Sequence, residues 1–185
     1  RDSSTSRGLG DVYKRQVWAN GSFFQLAPVF GIDKDLGTKK CIGKYVNPVT
    51  EGTFAMEDTP NIGESMVENP GIYCKSANVS VLAANGKTPL ITLNQFGAGK
   101  AMYLSSFRVS KESTRFLMRA LLTLLGKEDK VRDYICDNLY TECAYYEEID
   151  KLVVINNSGD TQKTVIKTAK GDVTVELAPF ATKIL

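Results

Sequence analysis

Glu142, Glu147 and Glu148 flank the tyrosine pair Tyr145–Tyr146, and this is the first place in the chain where chemistry can be sought. Two facing carboxylates are what glycoside cleavage needs, one as acid and one as base or nucleophile. Their setting argues otherwise. The run CAYYEEIDK reads as a strand leading into a charged surface turn, and solvated charge is the expected reading. Gly97-Ala98-Gly99-Lys100 resembles the end of a phosphate loop, but that pattern needs four residues before Gly-Lys, then Ser or Thr, then a helix. Here Ala101 and a β-rich run follow, so a hairpin turn is expected. Trp18, Phe23, Phe24 and Phe30 could stack on a sugar; a helix that buries its aromatics is the simpler account.

The chain contains no histidine, which removes the commonest general base, the His-dependent nucleophile triads and the commonest metal ligand. Cys41, Cys74, Cys136 and Cys143 do not have zinc-site spacing; only the last two are close, as C-x6-C. Cys74 as a nucleophile has no histidine to activate it. The spacing forces no disulfide, and reduced, mainly structural thiols of a cytoplasmic protein are expected. Asn20-Gly21-Ser22, Asn78-Val79-Ser80 and Asn156-Asn157-Ser158 fit the glycosylation sequon, a weak pattern discounted in a chain that reads as bacterial. No catalytic, cofactor-binding or metal-binding residue is nominated.

The elements that would position any site fall into two groups. Residues 23–31 (FFQLAPVFG) read as a short helix capped by Ser22 and closed by Gly31. Residues 37–70 read as a long irregular excursion with one short strand near Lys44–Val46. A loop of that length is usually a lid, an interface arm or a missed strand. Val79–Ala84, Pro89–Gln95 and Lys100–Ser106 then read as three strands joined at Asn85-Gly86 and Gly97-Ala98-Gly99, both hairpin signals. LITL within the second strand is apolar almost throughout, as in a strand covered on both faces. Ser110 caps a long helix that Gly126 ends. Phe116, Leu117, Ala120, Leu121, Leu124 and Leu125 form its predicted buried face.

Lys127–Asp133 is charged and marks a boundary, and the chain beyond it reads as all-β. The runs are Cys143–Tyr146, Leu152–Asn156, Gln162–Ala169, Val173–Leu177 and Ala181–Leu185. Val153, Ile155, Val165, Val173, Val175 and Leu177 alternate with polar neighbours and are predicted to face inward. About 45 residues suffices for a small sandwich-like module that packs on its neighbour.

Composition adds two limits. At 43% hydrophobic the chain can fill a core, and no apolar run reaches membrane-spanning length. Arg1, Arg7, Lys14 and Arg15 against Asp2 and Asp11 account for the whole formal charge of +2, so residues 17–185 are neutral. That removes the electrostatic case for nucleic acid or an anionic membrane. The tail is itself unusual. Asp11–Gln16 (DVYKRQ) is the translation of GATGTGTATAAGAGACAG, which resembles the mosaic-end DNA attached by transposase-based sequencing libraries. Residues 1–16 are therefore expected to be translated adapter rather than native protein, against the alternative of an ordinary polar tail. Native sequence would enter near Val17, in mid-protein, as in a metagenomic fragment.

Three stretches carry a family resemblance, in order. ANGSFFQLAPVFGIDKDLG and VSVLAANGKTPLITLNQFGAGKAMYLSSFRVSKESTRFLMRALLTLLGKE resemble the middle domain of the 1,3-β-galactosyl-N-acetylhexosamine (lacto-N-biose) phosphorylases. The segment from Cys143 resembles their C-terminal domain through Ala144-Tyr145-Tyr146, Val154-Ile155-Asn156-Asn157-Ser158 and Leu177-Ala178-Pro179-Phe180. The resemblance covers nearly all of residues 17–185.

It implies an α/β fold of the glutamine-amidotransferase-like kind, truncated, over residues 17–130, followed by a small all-β sandwich-like domain over residues 138–185. It implies a whole protein with a catalytic (β/α)8 barrel. Such glycosyltransferase-class enzymes cleave a β-galactoside with inorganic phosphate and inversion, giving α-galactose 1-phosphate and N-acetylhexosamine or, in some relatives, rhamnose. The barrel supplies the acid and binds phosphate and disaccharide, so no catalytic residue transfers to this chain. No metal or organic cofactor is implied. A homodimer and a cytoplasmic location are expected, with no nucleic-acid or membrane partner. This chain alone is expected to be inactive and structural. Two alternatives stand beside that reading: the accessory domains of a hydrolysing β-galactosidase, and a stand-alone carbohydrate-binding module using Tyr145 and Tyr146.

Overall fold

The computed structural model describes residues 23–35, 44–130 and 133–185. Ser22, Trp18, Cys41 and the whole of residues 1–16 lie outside these. The chain forms two compact units. One takes in the described residues up to Thr53 together with Pro60–Arg108; the other joins Phe54–Thr59 to Val109–Leu185. β-Sheet predominates in both.

In the first unit the helix near the start is shorter than read. α1 is a single turn, Ala27–Phe30, with Pro28 in its first turn and Gly31 in the left-handed conformation at its end. Pro costs nothing there because the first N–H groups of a helix lack partners anyway. β1 (Ile32–Lys34) pairs antiparallel with β2 (Ile72–Cys74). Neither strand was legible beforehand. Asp33, the middle residue of β1, is buried, and its Oδ1 accepts from the backbone N–H of Phe23 (2.7 Å), Phe24 (3.1 Å) and Lys34 (2.9 Å). A carboxylate ringed by three donors is stable when buried, which an alternation rule cannot anticipate.

The three-stranded antiparallel sheet follows as read, in the order β3 (Ser80–Asn85), β4 (Thr88–Phe96), β5 (Gly99–Leu104). Its turns carry positive φ at Gly86 and Gly97. Leu90, Ile91 and Thr92 are all buried, so β4 is covered on both faces. In the long excursion, the strand predicted near Lys44–Val46 is a single bridge from Tyr45 to Cys74. A second bridge joins Val49 to Val81, and single turns of 3-10 helix lie at Phe54–Met56 and Ile62–Ser65. The core gathers Ile32, Ile72, Cys74, Val79 and Val81, with Phe24 and Phe30 packed against it.

The second unit contains α2 (Lys111–Leu125). Ser110 and Ser113 cap each other reciprocally, with Ser110 Oγ accepting from Ser113 N at 3.1 Å and Ser113 Oγ from Ser110 N at 2.8 Å. At the other end Gly126 is left-handed, and its N–H and that of Lys127 return to Thr123 and Leu122 carbonyls. The limits match the sequence reading; the buried face does not. Phe116 and Ala120 are buried as expected, but Leu117, Leu121 and Leu125 are 37%, 52% and 65% exposed. Ser113, Arg119 and Thr123 take their place inside. The cause is the segment Phe54–Thr59, whose carboxylates draw Arg119 inward and so fix the rotation of the helix.

The rest of the unit is two three-stranded antiparallel sheets. One runs β10 (Gly171–Leu177), β9 (Gln162–Thr168), β6 (Ile135–Cys136); the other runs β11 (Thr182–Ile184), β8 (Lys151–Asn156), β7 (Thr141–Tyr146). Both contribute to one core: Cys136, Ile166, Val175 and Leu177 from the first, Leu152 and Val154 from the second. This is sandwich-like packing. The predicted inward set is correct for Val173, Val175 and Leu177 but one residue out of phase in β8 and β9. Leu152, Val154 and Ile166 point in, while Ile155 is exposed. Because the side-chain period is two, that one-step slip exchanges the two faces of a strand.

Candidate functional site

Two cavities of the second unit lie around the buried face of α2. Arg119, one turn beyond Arg115, is only 5% exposed. Its Nε donates to Asp58 Oδ2 at 2.5 Å, and its Nη1 donates to Glu57 Oε2 at 3.0 Å and to the Phe54 carbonyl at 3.3 Å. The guanidinium lies over the Phe54 ring, 4.4 Å from its centroid. Arg115 reaches the strands instead, donating to the carbonyls of Cys136 (3.2 Å), Asn138 (3.4 Å) and Thr141 (3.0 Å). Two arginines a turn apart thus tether one helix to two different segments.

Beside them opens a cleft of about 650 Å³, edged by Asp58, Arg119, Asp133, Asp137 and Lys167. Its charges are largely committed to protein. Asp137 Oδ1 accepts from Val165 N at 2.7 Å and Thr164 Oγ1 at 3.0 Å. A smaller cavity of about 110 Å³ lies against Met118, Leu122, Cys136, Glu142 and Cys143. Among the described residues, no group of three or more His, Cys, Asp or Glu side chains is placed to hold a metal ion.

The residues singled out by sequence fare unevenly. Glu142 is exposed on β7 and edges the smaller cavity; Glu147 and Glu148 are exposed in the 3-10 turn after that strand. The Tyr145 ring is stacked on Tyr134 at 4.1 Å and 5°, and its hydroxyl donates to Asp150 Oδ1 at 2.7 Å. That hydrogen bond raises the Tyr145 hydroxyl pKa and, with Lys170 close by, holds the Asp150 carboxyl below its ordinary range. Tyr146 is exposed. Lys100 of the Gly-Ala-Gly-Lys segment sits in β5 opposite Gln95, so that segment is a hairpin. Phe23 and Phe24 pack edge to face at 5.3 Å. Cys74 is buried, and burial pushes its thiol pKa up. Asn156 of the third sequon is buried, its Nδ2 donating to the carbonyls of Asp160 (2.7 Å) and Ala178 (2.9 Å). That position cannot carry a glycan in the folded protein. Arg115 and Arg119 were missed, since cations on a helix ordinarily face solvent. The carboxylates of Glu57 and Asp58, 62 and 61 residues before Arg119, gave no local sign of them.

The chain is thus two β-rich units, the second of them organised around a buried arginine on α2. The comparisons agree with a modular reading. Residues 12–129 match the lacto-N-biose phosphorylase central domain and residues 134–185 match the lacto-N-biose phosphorylase C-terminal domain. The chain belongs to the lacto-N-biose phosphorylase family. It is 34% identical over 167 residues to a D-galactosyl-β-1→4-L-rhamnose phosphorylase of Lachnoclostridium phytofermentans, covering 89% of this chain and 22% of that protein. It is 31% identical over 154 residues to a 1,3-β-galactosyl-N-acetylhexosamine phosphorylase of the same organism, covering 82% and 21%. It is 28% identical to the enzyme of that name from Bifidobacterium longum, covering 89% and 26%. The chain therefore spans about a fifth to a quarter of the length of these relatives. The two family domains meet between residues 129 and 134, whereas the compact units divide after Arg108.

Proposed function

We propose that this chain is the non-catalytic part of a glycoside phosphorylase of the glycosyltransferase class, in which it supports the catalytic domain and the contacts between subunits of a homodimer. The observation that carries the reading is the ordered match of two consecutive family domains across residues 12–129 and 134–185. The whole protein would use inorganic phosphate to cleave β-1,3-galactosyl-N-acetylhexosamine to α-galactose 1-phosphate and N-acetylhexosamine. Phosphate and disaccharide would both bind in a (β/α)8 barrel outside these 185 residues. In this reading residues 17–130 are part of an amidotransferase-like α/β domain, residues 138–185 are the C-terminal β domain, and the protein works in the cytoplasm. Among the described residues, no helix is long and apolar enough to cross a membrane.

Rhamnose as the acceptor is a second reading, favoured by the 34% identity to the galactosyl-rhamnose phosphorylase. The experiment is an assay of both the 185-residue chain and the full-length protein on lacto-N-biose and on galactosyl-β-1,4-rhamnose, with and without phosphate. The chain alone should give no turnover. The full-length protein should release galactose 1-phosphate only with phosphate, and the better substrate identifies the acceptor. Free galactose released without phosphate would replace this reading with a hydrolase. Galactose 1-phosphate formed by the 185-residue chain would end the non-catalytic assignment.

A further inference from the structure

Cys136 and Cys143 are the last residue of β6 and the third of β7, strands that belong to different sheets of the sandwich. Both thiols are free. Cys136 is part of the shared core, and Cys143 packs against it. Their side chains meet at the same core, and both line the cavity of about 110 Å³. A water molecule's share of liquid volume is about 30 Å³, so an oxidant of two oxygen atoms has room there. The Arg115 guanidinium, held at 3.2 Å from the Cys136 carbonyl, places a fixed positive charge beside the pair.

We propose that Cys136 and Cys143 form an oxidisable dithiol that hydrogen peroxide converts to a disulfide, stapling one sheet of the C-terminal module to the other.

The chemistry follows from the partners. The hydrogen bond from Cys143 pulls the Cys136 thiol down to about 7, against the cost of burial. The Thr141 and Thr164 hydroxyls already donate to the Asn138 carbonyl and to Asp137, so the Cys143 contact is the one that matters. Cys143 is shifted the opposite way, by the same hydrogen bond and by burial, and so keeps its proton. While both are thiols, Cys143 Sγ donates to the Tyr134 carbonyl at 2.9 Å. When Cys136 ionises, that proton turns towards its sulfur. The Cys136 thiolate attacks one peroxide oxygen and the O–O bond breaks. The departing hydroxide takes up the proton released on ionisation and leaves as water, and Cys136 becomes a sulfenic acid. Cys143 sulfur then attacks Cys136 sulfur, the S–O bond breaks, and the hydroxyl leaves with the Cys143 proton as a second water. Two thiols lose two electrons and one peroxide becomes two waters. A dithiol reductant reverses the change by exchange.

The test is peptide mapping of the 185-residue chain after stoichiometric peroxide at neutral pH, with digestion that cleaves after Glu142 to separate the two cysteines. The expected result is a Cys136–Cys143 linked peptide, removed by dithiothreitol. It should form at least about tenfold faster than Cys74 is oxidised, because reactivity follows the thiolate fraction and Cys74 is shifted away from it. In Cys143→Ala, Cys136 should stop at a sulfenic acid that dimedone captures. The proposal is overturned by sulfinic acid accumulating at either residue without the link, by links to Cys41 or Cys74 instead, or by oxidation of the pair no faster than that of Cys74. The unsubstituted chain gives these outcomes on its own, whether or not the variant folds.

Discussion

Replacing Arg119 should cost far more than replacing the leucine two residues on, although hydrophobic periodicity ranks them the other way. Leu121 is 52% exposed, so Leu121→Ala removes little buried area and should change stability by less than about 0.5 kcal/mol. Arg119→Ala takes the donor from a hydrogen-bonded ion pair whose Asp58 side chain is 17% exposed. A hydrogen bond to a charged group contributes about 1.5–3 kcal/mol, and the Asp58 bond at 2.5 Å belongs near the upper end. The Glu57 bond adds under about 1 kcal/mol, since that carboxylate is 54% exposed and screened. Stacking on Phe54 at 4.4 Å adds about 0.5–1 kcal/mol. Arg115 Nη1 at 3.9 Å compensates part of the charge left on Asp58. The net expectation is about 3 kcal/mol. Urea unfolding of the 185-residue chain, followed by tryptophan-independent far-UV dichroism, measures both variants. A double-mutant cycle with Asp58→Asn should give a coupling of about 1.5–3 kcal/mol. An Arg119→Ala cost under about 1 kcal/mol, or a Leu121→Ala cost that exceeds it, would refute the assigned rotation of α2.

Three further outcomes follow from the geometry. Gly31 has φ +67° and a Cβ built on it would lie 2.5 Å from Val79 Cγ2 and 2.8 Å from Asn94 Cγ, so Gly31→Ala should cost at least about 1–2 kcal/mol in denaturant unfolding. Asn156→Ala should cost about 1–3 kcal/mol, because the part-buried carbonyls of Asp160 and Ala178 lose a donor that is itself buried; a cost near zero would show that water replaces it. The folded Asp150 carboxyl lies below its ordinary value, so the folded protein binds fewer protons there. The stability it adds is present above the unfolded aspartate value near 3.8 and is lost as pH falls through the lower folded one. Asp150→Asn should flatten that part of the acid limb in unfolding measured across pH, and an unchanged acid limb would contradict the Tyr145–Asp150 contact.

Local chemistry explains what the sequence made legible. The β3–β4–β5 meander was readable because Gly86 and Gly97 supply the positive φ that their turns demand. The span of α2 was readable because Ser110 and Gly126 act within a few residues of its ends. Which face of α2 is buried depends on Glu57 and Asp58, some sixty residues earlier, and no window along the helix contains them. In β8, the run Leu152-Val153-Val154-Ile155 offers an apolar set in either phase. The choice falls to Asn156, which must point inward to cap the Asp160 and Ala178 carbonyls. The strands β1 and β2 have three residues each, too few for a period to register. The candidate acid–base groups read from sequence remained surface groups, while the two thiols placed across the sandwich were readable only as an uninformative C-x6-C.

The path of the backbone between the two units has an evolutionary corollary. The chain passes from one to the other after Thr53, returns after Thr59 and passes again after Arg108. A recombination joint near residue 130, where the family domains adjoin, would leave α2 with one parent and its Arg115 acceptors at Cys136, Asn138 and Thr141 with the other. Hybrids spliced at that joint inherit a helix and a sandwich that never adapted to each other. Viable chimaeras of this family should therefore carry residues 54–185 from a single ancestor.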